Sequence, residues 1–245
     1  MTAALVRIQE RALPPALFAR LARAVRGLGE EGLAQTYRTT FWFDHGAPAA
    51  LPELGILALG PRLPRVGITG VEWWLSRMRP TDVQVDFHQD RDERLFQRTG
   101  ATAHPAFGSV LFLNRCRGGL LAVTDAPARD GNPARAPDDL GALDLVRPWP
   151  NRLVSFAGDA THGVLDANGE IPHRRLSPPA PLRLALVVNG WRRRPEGVPR
   201  FDEARRYPSL ALAGAGPHSR GRRRAGAGRR RAPGSGHARP SPQSP

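Results

Sequence analysis

A mainly β fold, a sandwich or jelly roll with one helix packed against it, is what the sequence predicts. Three observations carry that expectation. About eight short runs rich in β-branched and aromatic residues are separated by turn chemistry. One run near the N-terminus has helical spacing. No strand–helix–strand alternation follows, so a parallel sheet is not expected.

In chain order, Leu17, Leu21, Val25 and Leu28 recur at helical spacing between arginines. Residues 14–28 therefore read as a packing helix, with Pro14 and Pro15 in the first turn, where proline is tolerated. Residues 36–43, Thr-Tyr-Arg-Thr-Thr-Phe-Trp-Phe, read as a strand closed by Asp44-His45-Gly46. Adjacent strand positions face opposite ways, so Asp44 and His45 are turn residues rather than a ligand pair. Residues 47–64, rich in Pro, Leu and Gly, read as loop with one short ordered piece. Residues 71–78 form a strand that turns one of Trp73 and Trp74 to the core and the other to a surface or cleft. Residues 81–87 lead on as another strand, and His104-Pro105 starts the next.

Residues 109–114 and 120–124 are apolar strands, with Cys116-Arg117-Gly118-Gly119 turning between them. Residues 125–139 are loop, and a short strand lies within 143–150. A strand over 152–157 is turned by Gly158-Asp159 into His162-Gly163-Val164-Leu165. Loop over 169–181 precedes a long strand over 182–191. After residue 208 the pattern vanishes. The chain divides into a folded domain over 1–208 and a disordered Arg/Gly/Pro-rich tail over 209–245.

The composition bounds function loosely. The formal charge is +14, and all 36 basic residues are arginine. Beside abundant Ala, Gly and Pro, the lack of lysine reads as a coding bias, which lowers the weight of any arginine count. Eight of these arginines lie beyond residue 210 with no acid among them, leaving 14 − 8 = +6 for the rest. A polyanion or nucleic-acid argument thus concerns the tail. Cys116 is the sole cysteine, so neither an internal disulfide nor a thiolate cluster is available. No secretory leader or membrane span is expected, and a cytoplasmic location follows as the expectation.

The chemistry centres on His88-Gln89-Asp90. On a strand, residues two apart share a face, so an imidazole and a carboxylate converge there. His162, after a strand and a turn, supplies a second imidazole. Two imidazoles and one carboxylate on one face of a metal leave three positions open, the need of a ferrous ion that binds a bidentate co-substrate and dioxygen together. Arg183 heads an otherwise apolar strand, sharing a face with Ala185, Val187, Asn189 and Trp191. A guanidinium there wants a carboxylate, which it grips bidentately. Plainer readings stand beside these: His88 and Asp90 as a surface pair, His162 as a loop histidine, Arg183 as an ordinary ion-pair partner. Asp92 and Glu93 read as solvated turn residues or as groups just behind the metal. Asn114 either touches co-substrate or caps a turn.

The ordered set His88-Gln89-Asp90, Gly118-Gly119-Leu120-Leu121, Arg152 to Val164 with its Gly158-Asp159-Ala160-Thr161-His162 core, and Arg183-Leu184-Ala185-Leu186 resembles the 2-oxoglutarate- and Fe(II)-dependent dioxygenases, near their prolyl-4-hydroxylase-like branch. Phe87 to Glu93 and Glu72-Trp73-Trp74 are similar to a bacterial subgroup of unassigned substrate. The resemblance spans roughly residues 36–191. It implies a cupin-like double-stranded β-helix, with iron on His88, Asp90 and His162 and the distal carboxylate of 2-oxoglutarate on Arg183. It also implies dioxygen as oxidant, leaves room for ascorbate, and points to hydroxylation of a peptidyl proline, an amino acid or a small metabolite. One departure is the gap of 183 − 162 = 21 residues, where about ten is usual; an inserted loop over 167–180 accounts for it, and His173 is the rival distal ligand. A non-catalytic jelly roll that binds metal or ligand is the alternative, and a zinc hydrolase is a weaker one.

Overall fold

The computed structural model describes residues 4–34, 39–64, 67–78, 87–126, 141–169 and 182–213. The strands are β1 (Val6–Gln9), β2 (Phe41–Phe43), β3 (Gly70–Met78), β4 (Phe107–Phe112), β5 (Leu120–Thr124), β6 (Leu143–Val146), β7 (Leu153–Ala157), β8 (Thr161–Leu165) and β9 (Arg183–Trp191). They form two sheets, ordered β1-β7-β4-β9-β3-β2 and β6-β5-β8. Every pairing between these strands is antiparallel. Side chains of the two sheets meet in one apolar layer, where Val110, Val154 and Val187 of the larger sheet pack with Leu121, Val123 and Val146 of the smaller. This is the jelly-roll sandwich expected from the strand pattern.

The outer face of the larger sheet is covered by helices. Leu21 and Val25 of α1 (Pro15–Gly27), with Ile56 and Leu59 of α3 (Leu51–Leu59), share a core with Trp73, Leu111 and Leu186. Each leucine-sized side chain buried there contributes about 2 kcal/mol. Because both faces are covered, β4 and β9 are buried at every position. Alternation still sorts β9: Leu184, Leu186 and Val188 join the helical core, while Ala185 and Val187 face the smaller sheet.

Residues 47–64 are more ordered than expected, since Leu51–Leu59 is a helix followed by a 3-10 turn at Gly60–Arg62. Pro52 sits in its first turn, and the Glu53 carboxylate accepts from the Ala49 and Ala50 amides at 2.6 and 3.2 Å. Proline and glutamate were helix-start signals there. The strand expected over 36–43 covers Phe41–Phe43, and residues 35–38 lie outside the described set. So do residues 81–86 of the strand expected before His88, His173, and residues 214–245 of the tail expected over 209–245; residues 209–213 of that tail are ordered instead, with Leu210 buried. Three further helices, α2 (Gly29–Ala34), α4 (Glu93–Thr99) and α5 (Phe201–Ala204), and the edge strand β1 were not expected. Among the described residues, no helix is long and apolar enough to cross a membrane.

Candidate metal centre

Two histidines far apart in sequence are joined through their backbones. The His88 amide donates to the His162 carbonyl at 3.0 Å, and the His162 amide donates back to the His88 carbonyl at 2.9 Å. Such a reciprocal pair puts both side chains on one face. Their rings lie 4.5 Å apart between centroids. Asp90, two residues on, brings Oδ1 to 3.6 Å from His88 Nε2 and Oδ2 to 3.6 Å from His162 Nε2. One ligand atom from each of the three lies within 4.8 Å of the others, a spacing that suits a shared cation.

Neighbouring groups aim these atoms. His162 Nδ1 lies 3.0 Å from the Ala160 carbonyl. A carbonyl only accepts, so Nδ1 carries the proton and Nε2 keeps its lone pair on the Asp90 side. Asn189 Nδ2 donates to Asp90 Oδ2 at 2.8 Å. His104 Nδ1 donates to the Asp90 carbonyl at 2.8 Å, and Gln89 Nε2 donates to the Asp159 carbonyl at 2.6 Å.

Of the two readings for Asp92, the solvated turn is overturned, for it is 2% exposed. Its carboxylate caps α4 through the Leu95 amide at 3.1 Å and accepts from the Glu196 amide, also at 3.1 Å. It thus ties the segment that carries His88 and Asp90 to the chain leaving β9. Glu93 is exposed, as expected.

The charges follow from burial. Burial alone would raise the Asp90 carboxyl; the imidazoles of His162 and His88 and the Asn189 amide outweigh it and hold the group well below the usual carboxylate range. Burial lowers His162 despite the pull of Asp90, so its ring is neutral near pH 7, as a metal ligand must be.

These three residues line a cavity of about 810 Å³ that also contains Arg183. Arg183 is 3% exposed, its Nε lacks a hydrogen-bond partner, and no carboxylate pairs with it among the described residues. Its guanidinium lies 5.0 Å from the Phe112 ring centroid. Burial lowers it only to about 10, so it stays cationic. The Gly118-Gly119 turn makes room for it. Gly119 has φ +70°, and a Cβ there would come within 2.6 Å of the arginine Cδ. Asn114 does not touch the cavity; it clamps the start of β9, donating to the Leu182 carbonyl at 2.6 Å and accepting from the Leu184 amide at 2.8 Å.

Two residues of the site carried no role in the sequence reading. Asn189 shares the Arg183 face of β9, a fact visible from strand periodicity, but its partner Asp90 was not. Glu72 lies directly across from Asn189 in the β3–β9 register and lines the same cavity. Of the tryptophan pair, Trp73 is fully buried in the core and Trp74 turns to the cavity.

No protein-family model matches the chain, and no curated protein matches it. Among solved structures, the chain is similar to a prolyl-4-hydroxylase from Pseudomonas putida, at 21% identity over 76% of this chain and 92% of that one, with a TM-score of 0.47. It is similar to HygX from Streptomyces hygroscopicus with nickel and 2-oxoglutarate bound, at 12% identity over 76% and 82%, TM-score 0.46. It is also similar to an oxidoreductase of the 2OG-Fe(II) oxygenase family from Burkholderia pseudomallei, at 13% identity over 78% and 87%, TM-score 0.43. None of these likenesses locates a functional atom in this chain; its own side chains do.

Proposed function

We propose that the protein is a non-haem Fe(II) dioxygenase that couples oxidative decarboxylation of 2-oxoglutarate to hydroxylation of a substrate C–H bond. One observation carries the reading: a buried guanidinium without a carboxylate partner among the described residues shares a cavity with a His-Asp-His cluster. A buried unpaired cation is costly unless a ligand completes it. A jelly roll that merely bound metal would leave Arg183 unexplained.

The donor set fits a ferrous ion, since two imidazoles and one carboxylate suit it and no thiolate competes among them. His88, Asp90 and His162 would hold the iron, and Arg183 the far carboxylate of 2-oxoglutarate. With dioxygen, the bound iron and 2-oxoglutarate would supply the chemistry, giving succinate, carbon dioxide and a hydroxylated product.

The chain's own residues do the rest. The Ala160 carbonyl holds the Nδ1 proton of His162, leaving Nε2 as the ligand atom. Asn189 restrains the Asp90 carboxylate. Val110, Val187 and Phe156 make the wall between the cluster and Arg183 apolar, which strengthens the guanidinium–carboxylate attraction.

The test is succinate release with Fe(II), 2-oxoglutarate and ascorbate present. His162→Ala is expected to lose release by at least about a hundredfold together with its metal affinity. Equal release by both proteins would remove His162 from the mechanism.

A further inference from the structure

The wall beside the metal cluster holds a carboxyl that neither iron nor 2-oxoglutarate needs. The β3–β9 register pairs Glu72 with Asn189, Trp74 with Val187, Ser76 with Ala185 and Met78 with Arg183. Directly opposed residues share a face, so β3 presents Glu72, Trp74, Ser76 and Met78 to the cavity that β9 lines. All four line it. The Arg183 end of this surface answers to the co-substrate. Glu72 lies at the other end, beside the Asn189–Asp90 hydrogen bond and hence at the level of the reacting centre.

Glu72 is held but not neutralised. The Trp191 indole N–H donates to Oε2 at 3.2 Å, and the Thr40 side chain also hydrogen-bonds it. Both partners are neutral, and no guanidinium or imidazole pairs with the carboxylate among the described residues. Burial first, and then the neighbouring charges of Asp90 and Asp92, push the group up to about 7. A carboxyl without a cationic partner among the described residues, in the wall of a cavity, is a candidate for binding a ligand. Trp74 follows two residues later on the same face and is only partly buried. A carboxylate and an indole two residues apart on one face of a cavity wall can together take a cationic nitrogen, attracted by the charge and by the ring face.

We infer that the substrate carries an ammonium or guanidinium group, bound by Glu72 with Trp74 as its platform, which sets the C–H bond to be attacked beside the metal. The inference deepens the dioxygenase reading and rests on it for the role of the neighbouring metal. Glu72 and Trp74 are here substrate-binding residues.

The experiment compares basic and neutral amino acids of matched shape. The full chain, loaded with redox-inert Mn(II) and 2-oxoglutarate, is titrated calorimetrically with L-lysine against L-norleucine and with L-arginine against L-citrulline. Preference for at least one basic member by about tenfold or more is expected, the scale of a charge-assisted contact. Glu72→Gln keeps an acceptor for the Trp191 indole and is expected to erase that preference, so that the basic and the neutral member bind alike. Trp74→Leu should reduce the preference in part, and it carries the test if Glu72→Gln does not fold.

No preference in the wild type, or a preference that survives in both variants, overturns the proposal. Titration with 2-oxoglutarate alone separates the two readings. Co-substrate binding without cation preference sinks the substrate class and leaves the dioxygenase standing. Glu72-dependent cation preference without 2-oxoglutarate binding does the reverse.

Discussion

At the scale of residues, Arg183 and Glu72 are opposite cases of a buried charge, and each makes a prediction. Arg183 is a buried cation lacking a carboxylate partner among the described residues. Arg183→Met is expected to keep metal affinity, to weaken 2-oxoglutarate binding by about a hundredfold, and to leave the ligand-free protein as stable or more so. Calorimetry and thermal unfolding read these separately; lost stability without lost co-substrate binding would make Arg183 structural. Glu72 is raised from 4.5 to about 7, first by burial. A raised carboxyl binds its proton more tightly in the folded state. Its contribution is therefore fully present below pH 4.5 and is lost as pH rises through 7. Above pH 7 the metal-free protein must hold a buried anion or release it by unfolding. Glu72→Gln should stabilise the metal-free protein at pH 8 by about 1–3 kcal/mol and change little at pH 5. A difference of equal size at both pH values would show that the charge is not responsible. The lowered groups Asp90 and His162 act with the opposite sign, losing their contribution as pH falls.

At the scale of elements, the site depends on turns as much as on strands. The Gly118-Gly119 turn between β4 and β5 leaves space for the Arg183 stem. Gly119→Ala meets both a left-handed φ of +70° and a contact of 2.6 Å. It is expected to cost about 1–3 kcal/mol and to weaken 2-oxoglutarate binding more than metal binding, because Arg183 shifts while the His-Asp-His cluster does not. Denaturant unfolding beside the two titrations checks this, and an unchanged co-substrate affinity would count against the turn's role. Asp92 shows how one residue serves two elements: it caps α4 and holds the Glu196 amide of the segment after β9. The sequence carried the signals for α4, Asp92 at its start and Gly100 at φ +73° after its end. The reading of Asp92 and Glu93 as solvated turn residues or groups just behind the metal left those signals unused.

At the scale of the whole molecule, two layers of opposite character meet on one sheet. The helical side of the larger sheet supplies the main core, and the sandwich side gives up part of its packing to the cavity. The chain's last described residues belong to that main core. Leu210 is 1% exposed, and the Leu212 amide donates to the Ala49 carbonyl at 2.9 Å. Ending the chain after Ala213 should leave the unfolding temperature unchanged. It removes eight arginines and should abolish any salt-sensitive binding to DNA; binding that persists would place the polyanion site in the folded part.

The sequence alone singled out the residues that the structure brings to one cavity, His88, Asp90, His162 and Arg183. Period-2 spacing put Arg183 with Asn189 on a common face of β9, because strand geometry is local; His88 and Asp90 lie outside the strands, His88 in an isolated bridge to His162, so the strand argument did not apply to them. The sequence also determined the β character, since turn residues and β-branched runs act over a few positions. The tertiary structure decided which strands are neighbours. The pairing of His88 with His162, the bond from Asn189 to Asp90, and the place of Glu72 opposite Asn189 all depend on sheet register across distant segments, which local pattern does not encode. The burial of Asp92 follows the same rule, since what packs over it is set only in the assembled sandwich.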